Sequence, residues 1–447
     1  MKGGTPLDVP RGVLVDVQAP PSQRGEPPAD ALNVVLVIGC TVRKDQLGLY
    51  GGEAGVTPNL DRWAREGVVF EDMITAAPWT KPASIAILTG RHAAEISMVE
   101  PQRRRNERMM PEGVPLAAEW FARSGWQTVG IATNPNVHEA FGFHRGFDTY
   151  AQPGVLWRDG GVKVGGAVAV RHVLERAEEQ LKSPGPLYLQ AMFIDAHAPY
   201  VASKRAASHF RSPSEPELLG QYRAALHRFD GSVGKLLTGL EQLGLDSSNT
   251  VFFVVNDHGE GLSMPRHHGK SHGRFLAPST VGGVWLAWGA GVAQGGRVQG
   301  VVSQVDILPT MLSLAGIEGY HGPGYNHGDL LKEGKGESLR EAAFTDTWFL
   351  EANRAAVYTQ NRACQRSFGA EEKGPFDTGC FDRQEDPLHA SNLGRLPLMG
   401  TLEAWRGRVH SPERETGGSR AAPLDPALRE QLEALGYMEL PEQEGTP

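Results

Sequence analysis

"LNVVLVIG", Leu32 to Gly39, is an apolar run rich in β-branched side chains that ends on a glycine. A run of this length with no apolar–polar alternation marks a strand covered on both faces, as in a largely parallel sheet. The sequence downstream supplies the helices such a sheet needs. "TPNLDRWAREG" (57–67) reads as a helix capped by Thr57, with Pro58 in its first turn and Gly67 at its end. "VVFEDMITA" (68–76) reads as a strand and "TKPASIAILTG" (80–90) as a helix whose first turn begins at Thr80. Further strands are predicted in 125–134, 185–195, 249–259 and 281–291, with a helix in 222–244 and one that opens after a turn in 302–317. This alternation predicts an α/β fold, a large mostly parallel β-sheet flanked by helices.

Beyond about Ser338 the pattern changes. "RAAVYTQNRACQRSF" and "GCFDRQEDP" are short strand candidates joined by a Gly-rich loop, and "LDPALREQLEALGY" is an amphipathic helix. The organisation read from the chain is a flexible leader over 1–31, an α/β domain over 32–337, and a small C-terminal α+β subdomain over 338–447. The subdomain is expected to hold a small antiparallel sheet with a helix.

Composition narrows the function. The chain has 447 residues, 40% of them hydrophobic and 21% charged, with 55 Gly and 31 Pro, as in a folded, loop-rich enzyme. A net charge of −8 implies no large basic face and argues against nucleic acid as a partner; the run Arg103–Arg105 reads as a solvated loop. No stretch of about eighteen apolar residues is present, so no transmembrane segment is expected. The first residues carry no secretory signal, so the chain reads as soluble and cytoplasmic as written, or periplasmic or secreted if its start is misassigned. Of the three cysteines, Cys364 and Cys380 could pair across a hairpin, which would imply an oxidising compartment. Oligomeric state is not legible.

Polar side chains stand just past the predicted strands: Cys40 and Thr41, then Thr80, Asn134, His197, and Asp257 with His258. In open α/β sheets, chemistry gathers at the C-terminal strand ends. Carboxylate, imidazole, hydroxyl and thiol are metal-ligand and nucleophile chemistry. In "NDHGEG", Gly259 is expected to let the backbone turn so that Asp257 and His258 face one centre. His267, His268, Lys270 and His272 follow, as further ligands, as a cationic wall for an anion, or as an ordinary solvated loop.

Seven stretches together resemble the sulfatase family of the alkaline-phosphatase-like superfamily. They are "NVVLVIGCTVRKDQLGLYG", "TPNLDRWAREGVVFEDMITAAPWTKPASIAILTG", "NPNVHEAFGFHRGFDTY", "FIDAHAPY", "NDHGEGL", "VSQVDILPTMLSLAGI" and "LDPALREQLEALGY", in family order from Leu32 to Tyr437. The resemblance implies a nucleophile at Thr80. Family sulfatases carry there a cysteine converted to formylglycine, followed by proline and arginine in a fixed spacing. Here the stretch is Thr80, Lys81, Pro82, Ala83, Ser84, which lacks both the convertible cysteine and the arginine. A threonine nucleophile occurs in related phosphodiesterases, and a helix start favours an alkoxide and a bound anion. A helix-capping threonine is the alternative. The resemblance also implies that His197 contacts the leaving oxygen of an ester and that Lys270 clamps its anionic group. Asn134 stands where many members place a substrate-contacting lysine.

Where the family has a pair of aspartates as metal ligands, this chain has Cys40 and Thr41. A thiolate serves calcium badly. Cys40, Thr80, Asp257 and His258 could bind one divalent ion tetrahedrally, with zinc or another transition metal favoured over calcium. The expectation is a metal-dependent hydrolase of small-molecule or glycan sulfate or phosphate esters using a Thr nucleophile. The alternatives are a catalytically inactive sulfatase-fold protein that binds anionic glycans, or a phosphotransferase.

Overall fold

The computed structural model of the chain describes residues 24–98, 108–152, 166–262, 272–349, 352–368, 378–410 and 420–438. Arg103–Arg105, His267, His268, Lys270, most of the leader and most of the Gly-rich loop lie outside these residues.

The large sheet has nine strands: β1 (Asn33–Gly39), β2 (Val68–Ile74), β3 (Gln127–Ala132), β4 (Thr149–Ala151), β5 (Leu187–Phe193), β6 (Thr250–Asn256), β7 (Gly282–Gly283), β8 (Trp285–Gly289) and β9 (Gly296–Ser303). Their order is β4-β3-β5-β1-β6-β8-β2-β7, with β9 also on β2. β8 runs antiparallel to β6 and β2, and β7 antiparallel to β2; the other pairings are parallel. β1 lies between β5 and β6. Its Val34, Leu36 and Ile38 enter one core, and Val35 and Val37 enter the other. Both faces are therefore dry, which is why the strand shows no polar alternation.

On one face the helix Glu217–Gln242 buries Tyr222, Leu226, Phe229, Val233 and Leu236. On the other lie the helices Thr80–Thr89 and Ile307–Leu314, with Ile85, Leu88, Leu308 and Met311 in the core. The segment from Val302, expected as a helix that opens after a turn, completes β9, turns over Gln304–Asp306 and is α-helical from Ile307. One local reading changes. The helix Pro58–Glu66 is capped by a distant carboxylate, not by Thr57. Asp230 accepts from the Asn59 and Leu60 amides at 3.1 and 2.9 Å. The Thr57 hydroxyl instead accepts from the Gly48 amide and donates to Asp61.

The second sheet is antiparallel, in the order β10 (Ala343–Phe349), β11 (Ala352–Tyr358), β12 (Arg362–Ser367) and β13 (Gly379–Asp382). Cys364 and Cys380 face each other across β12 and β13 and are joined as a disulfide. The helix Leu398–Val409 packs Met399, Leu402 and Trp405 against Ala355, Val357 and that disulfide. The helix Pro426–Ala434, expected beside this sheet, sends Leu428 and Leu432 into the core of the large one. No described helix is long and apolar enough to cross a membrane.

Strand register sets the position of the site. Gly39 pairs with Phe193 on one side and Asn256 on the other, and Ala132 pairs with Met192. Cys40, Asp257 and the Thr133–Asn134 turn therefore leave the sheet side by side.

Candidate functional site

β2 ends at this same edge, and after a short turn the helix Thr80–Thr89 begins. Thr80 is its first helical residue; Trp79 is the extended N-cap, with no side-chain capping bond. The Thr80 hydroxyl is thus not spent on the helix, which removes the capping alternative. It faces the strand ends. Its oxygen lies 3.3 Å from His258 Nε2, 3.7 Å from Cys40 Sγ and 3.1 Å from the Tyr437 hydroxyl, and it accepts from Asn134 Nδ2 at 3.3 Å.

Each neighbour is oriented by its own contacts. Asn134 donates to Cys40 Sγ at 3.2 Å, while its carbonyl oxygen accepts from the amide and side chain of Asn136. Asp257 Oδ1 accepts from the backbone amides of Thr41 and His258 at 2.9 and 2.6 Å. Thr41 reaches it from a left-handed backbone, φ 57°, a conformation that costs a non-glycine residue roughly 1–2 kcal/mol. Among the described residues none donates a well-formed hydrogen bond to Asp257 Oδ2, although it is fully buried, and it lies 3.5 Å from His258 Nε2.

Three imidazoles present the same nitrogen to this centre. His258 Nδ1 lies 2.7 Å from the Gly259 carbonyl and His197 Nδ1 2.5 Å from the Ala198 carbonyl. A carbonyl only accepts, so each Nδ1 carries the hydrogen and each Nε2 turns a lone pair inward. His272 Nδ1 faces Glu260 at 3.2 Å, with its Nε2 also inward. Tying off Nδ1 this way is the usual support of a metal-ligating or proton-handling histidine.

Burial dominates the electrostatics. It pushes the Cys40 thiol well up, and the charge of Asp257 adds to the rise. It raises Asp257 to about 6 against the hydrogen bonds from Thr41 and His258, and it pushes the His258 imidazole well below its ordinary value. Burial also pushes Glu260 up, but His272 and the Gly261 amide more than offset it and keep that carboxyl below its ordinary range.

Among the described residues, Cys40, Asp257 and His258 form the group of three ligand-type side chains whose donor atoms all lie within 4.8 Å of one another. The residues fit one small cation: one sulfur, one imidazole nitrogen, and a buried carboxylate oxygen with no hydrogen bond from the described residues. The donor set suits zinc or a similar ion and is poor in the hard oxygens that calcium requires.

Of the residues singled out in the sequence, Cys40, Thr80, Asn134, Asp257 and His258 meet directly, and His197 joins them through Tyr437, 3.2 Å from its Nε2. Lys270 lies outside the described residues. At Gly259 the backbone is not left-handed, and a Cβ there would stand 2.0 Å from the Ser279 carbonyl oxygen. The glycine is needed for close backbone approach. Tyr437 and Glu260 were missed as site residues. Tyr437 had only its place in the last family-like stretch to point to it, and Glu260 only its position two residues beyond His258.

A family profile described as Sulfatase matches residues 32–317. N-acetylgalactosamine-6-sulfatase of Rattus norvegicus is 29% identical over 334 residues, covering 64% of this chain and 62% of that protein. The chain thus matches under two thirds of the length of this relative. Among solved structures, Ps i-CgsB in complex with k-i-k-neocarrahexaose superposes with a TM-score of 0.68 at 17% identity, over 91% of this chain and 98% of the other. Phosphonate monoester hydrolase of Agrobacterium radiobacter gives 0.66 at 17% identity, over 85% and 96%. At these identities the structural likeness speaks to the fold alone.

Proposed function

Since the chain belongs to the sulfatase family, we propose that it is a metal-dependent hydrolase of sulfate or phosphate esters with Thr80 as nucleophile. The observation that carries this reading is the placement of Thr80 Oγ1, free of helix capping and in contact with Cys40, Asn134, His258 and Tyr437 at the strand ends.

Cys40, Asp257 and His258 would hold the cation, with Thr80 as a further oxygen donor. A cation bound there supplies Lewis acidity that lowers the pKa of the Thr80 hydroxyl. The protein's own groups do the rest. The Asn134 amide fixes the Thr80 oxygen and the Cys40 sulfur in one frame. His197 faces the reacting group with an inward nitrogen, and Lys270 would neutralise the substrate's anionic oxygens. The start of the helix at Thr80 adds a favourable dipole for the same charge. A threonyl phosphate is easier to hydrolyse than a threonyl sulfate that lacks the formylglycine route, so phosphoryl substrates fit the chemistry of this nucleophile. The names of the relatives point to sulfated glycans as the other class. The Cys364–Cys380 disulfide supports an exported protein.

Elemental analysis of the purified chain, with a panel of aryl sulfates, phosphate monoesters and phosphate diesters, tests the reading. Bound transition metal and turnover of at least one ester are expected. No metal and no turnover on the whole panel would overturn it. Replacement of the family aspartates by Cys40 and Thr41 favours one second reading, an inactive fold that binds anionic glycans; that protein would retain a sulfated glycan without cleaving it.

A further inference from the structure

Tyr437 is 1% exposed, and its phenol lies at the centre of the site. Its hydroxyl is 3.1 Å from Thr80 Oγ1, 3.2 Å from His197 Nε2 and 3.2 Å from His272 Nε2. The position is built into the fold. Asp425 caps the helix Pro426–Ala434 by accepting from the Leu428 amide at 2.8 Å, and Leu428 and Leu432 anchor that helix in the main core. At its end Gly436 takes a left-handed turn, φ 77°, and the Tyr437 amide donates back to the Leu432 carbonyl at 2.9 Å. This helix terminus directs the next side chain inward. Phe349 packs edge-on against the ring.

Thr80 Oγ1 contacts Cys40, Asn134, His258 and Tyr437, and the Asp257 carboxylate also interacts with its hydroxyl. Cys40, Asp257 and His258 are the candidate ligands, and Asn134 is an amide that neither takes nor gives up a proton. The phenol can do both at once. We propose that Tyr437 is a catalytic residue, a proton relay between the Thr80 nucleophile and the departing ester oxygen. This rests on the reading of Thr80 as the nucleophile. In the relay, Thr80 Oγ forms a bond to the phosphorus or sulfur of the ester, and the bond from that atom to the alcohol oxygen breaks, its electron pair staying on the oxygen. The proton leaving Thr80 passes to the phenol oxygen while the phenol's own proton passes to the alcohol oxygen. The phenol is neutral before and after, and the products are esterified Thr80 and the free alcohol. His197 Nε2 and His272 Nε2, each 3.2 Å from the phenol oxygen, fix its position beside Thr80.

The test compares the full chain with its Tyr437→Phe variant, which keeps the ring and its packing. Both are assayed on 4-nitrophenyl and phenyl esters of phosphate and sulfate, with thermal midpoints measured alongside. A relay matters most where the leaving oxygen needs a proton. Tyr437→Phe should therefore lose about 10²-fold or more in kcat/KM on the phenyl ester and about tenfold or less on the 4-nitrophenyl ester. The solvent isotope effect should fall on the phenyl ester. Equal losses on both esters would mean that the phenol only holds structure, and undiminished rates would mean that it does nothing; either result overturns the relay while leaving the nucleophile assignment intact. If the wild-type chain turns over no aryl sulfate, phosphate monoester or phosphate diester, the hydrolase reading fails and the relay fails with it.

Discussion

Thr80 Oγ1 and His258 Nε2 lie 3.3 Å apart although 178 positions separate them in sequence. The contact exists because two parallel strands and one helix start share an edge. β6 delivers His258 one residue after Asp257, and the turn after β2 delivers Thr80 at the first position of its helix. The Gly259 carbonyl takes the other imidazole nitrogen, so the lone pair toward Thr80 is a consequence of backbone geometry and not of local polarity.

If Thr80 is the nucleophile, Thr80→Ala should lower kcat by more than about 10³-fold on any ester the protein hydrolyses, while Thr80→Ser should retain measurable turnover. Since the hydroxyl does not cap its helix, the stability of Thr80→Ala should fall by no more than about 1–2 kcal/mol. Steady-state kinetics and urea midpoints on the same samples separate the two effects.

Asp306 should prove essential to stability. It is fully buried, accepts from the Ser303 and Tyr325 amides at 2.8 and 2.7 Å, and pairs through both oxygens with Arg340 and through one with His327. Asp306→Asn leaves Arg340 without its counter-charge and is expected to cost about 3–5 kcal/mol. Burial pushes the Asp306 carboxyl up, but His327 and Arg340 outweigh it and hold the group below its ordinary value of 3.8. A carboxyl with a depressed folded-state pKa stabilises the fold above its unfolded value and loses that contribution as pH falls through the folded one. The gap between wild type and Asp306→Asn in urea should therefore be full at pH 7 and shrink below about pH 4.

The sheet and most of the donor ring are legible because each donor lies within a few residues of an apolar run whose end is visible. Cys40 follows β1, Asn134 follows β3, and Asp257 follows β6. Contacts made from far away leave no such trace. Asp230 caps a helix start 170 positions from it, and Tyr437 reaches Thr80 across 357 positions. Neither has a local pattern that distinguishes it from an ordinary helical aspartate or an aromatic after a helix. β9 was hidden for another reason: its first half alternates between buried and half-exposed or exposed residues, and its buried end runs straight into an apolar helix, so the two periods merge.

Gly259→Ala tests the backbone under the site without touching a donor atom. The added Cβ would stand 2.0 Å from the Ser279 carbonyl oxygen, and this strand-end backbone also donates from Gly259 to Thr280 and from Glu260 to Ser279. Relief must come from backbone movement, so a destabilisation of about 1–3 kcal/mol is expected. His258, one residue away and hydrogen-bonded to the Gly259 carbonyl, should shift with it. Metal content should fall along with stability. Full metal occupancy in a folded Gly259→Ala protein would show that the approach to Ser279 does not position the imidazole.

Cys40→Asp restores the residue that the family carries, and its outcome separates an adapted site from a decayed one. In an adapted site the thiol is matched to its surroundings: Asn134 donates to the sulfur at 3.2 Å, Thr80 stands 3.7 Å away, and the side chain is fully buried. A carboxylate in that place would set a second buried acid beside Asp257, whose own carboxyl burial already raises to about 6, and like charges in one dry pocket disfavour ionisation of both. For a protein that uses Cys40 as a ligand, zinc content and activity should therefore drop in Cys40→Asp, and Cys40→Ala should lower zinc content as well. Elemental analysis reads this without any substrate. A rise in metal content or activity in Cys40→Asp would identify the cysteine as a lesion in an ancestral oxygen-ligand site, because only a site still shaped for a carboxylate could accept the second acid and bind its cation better.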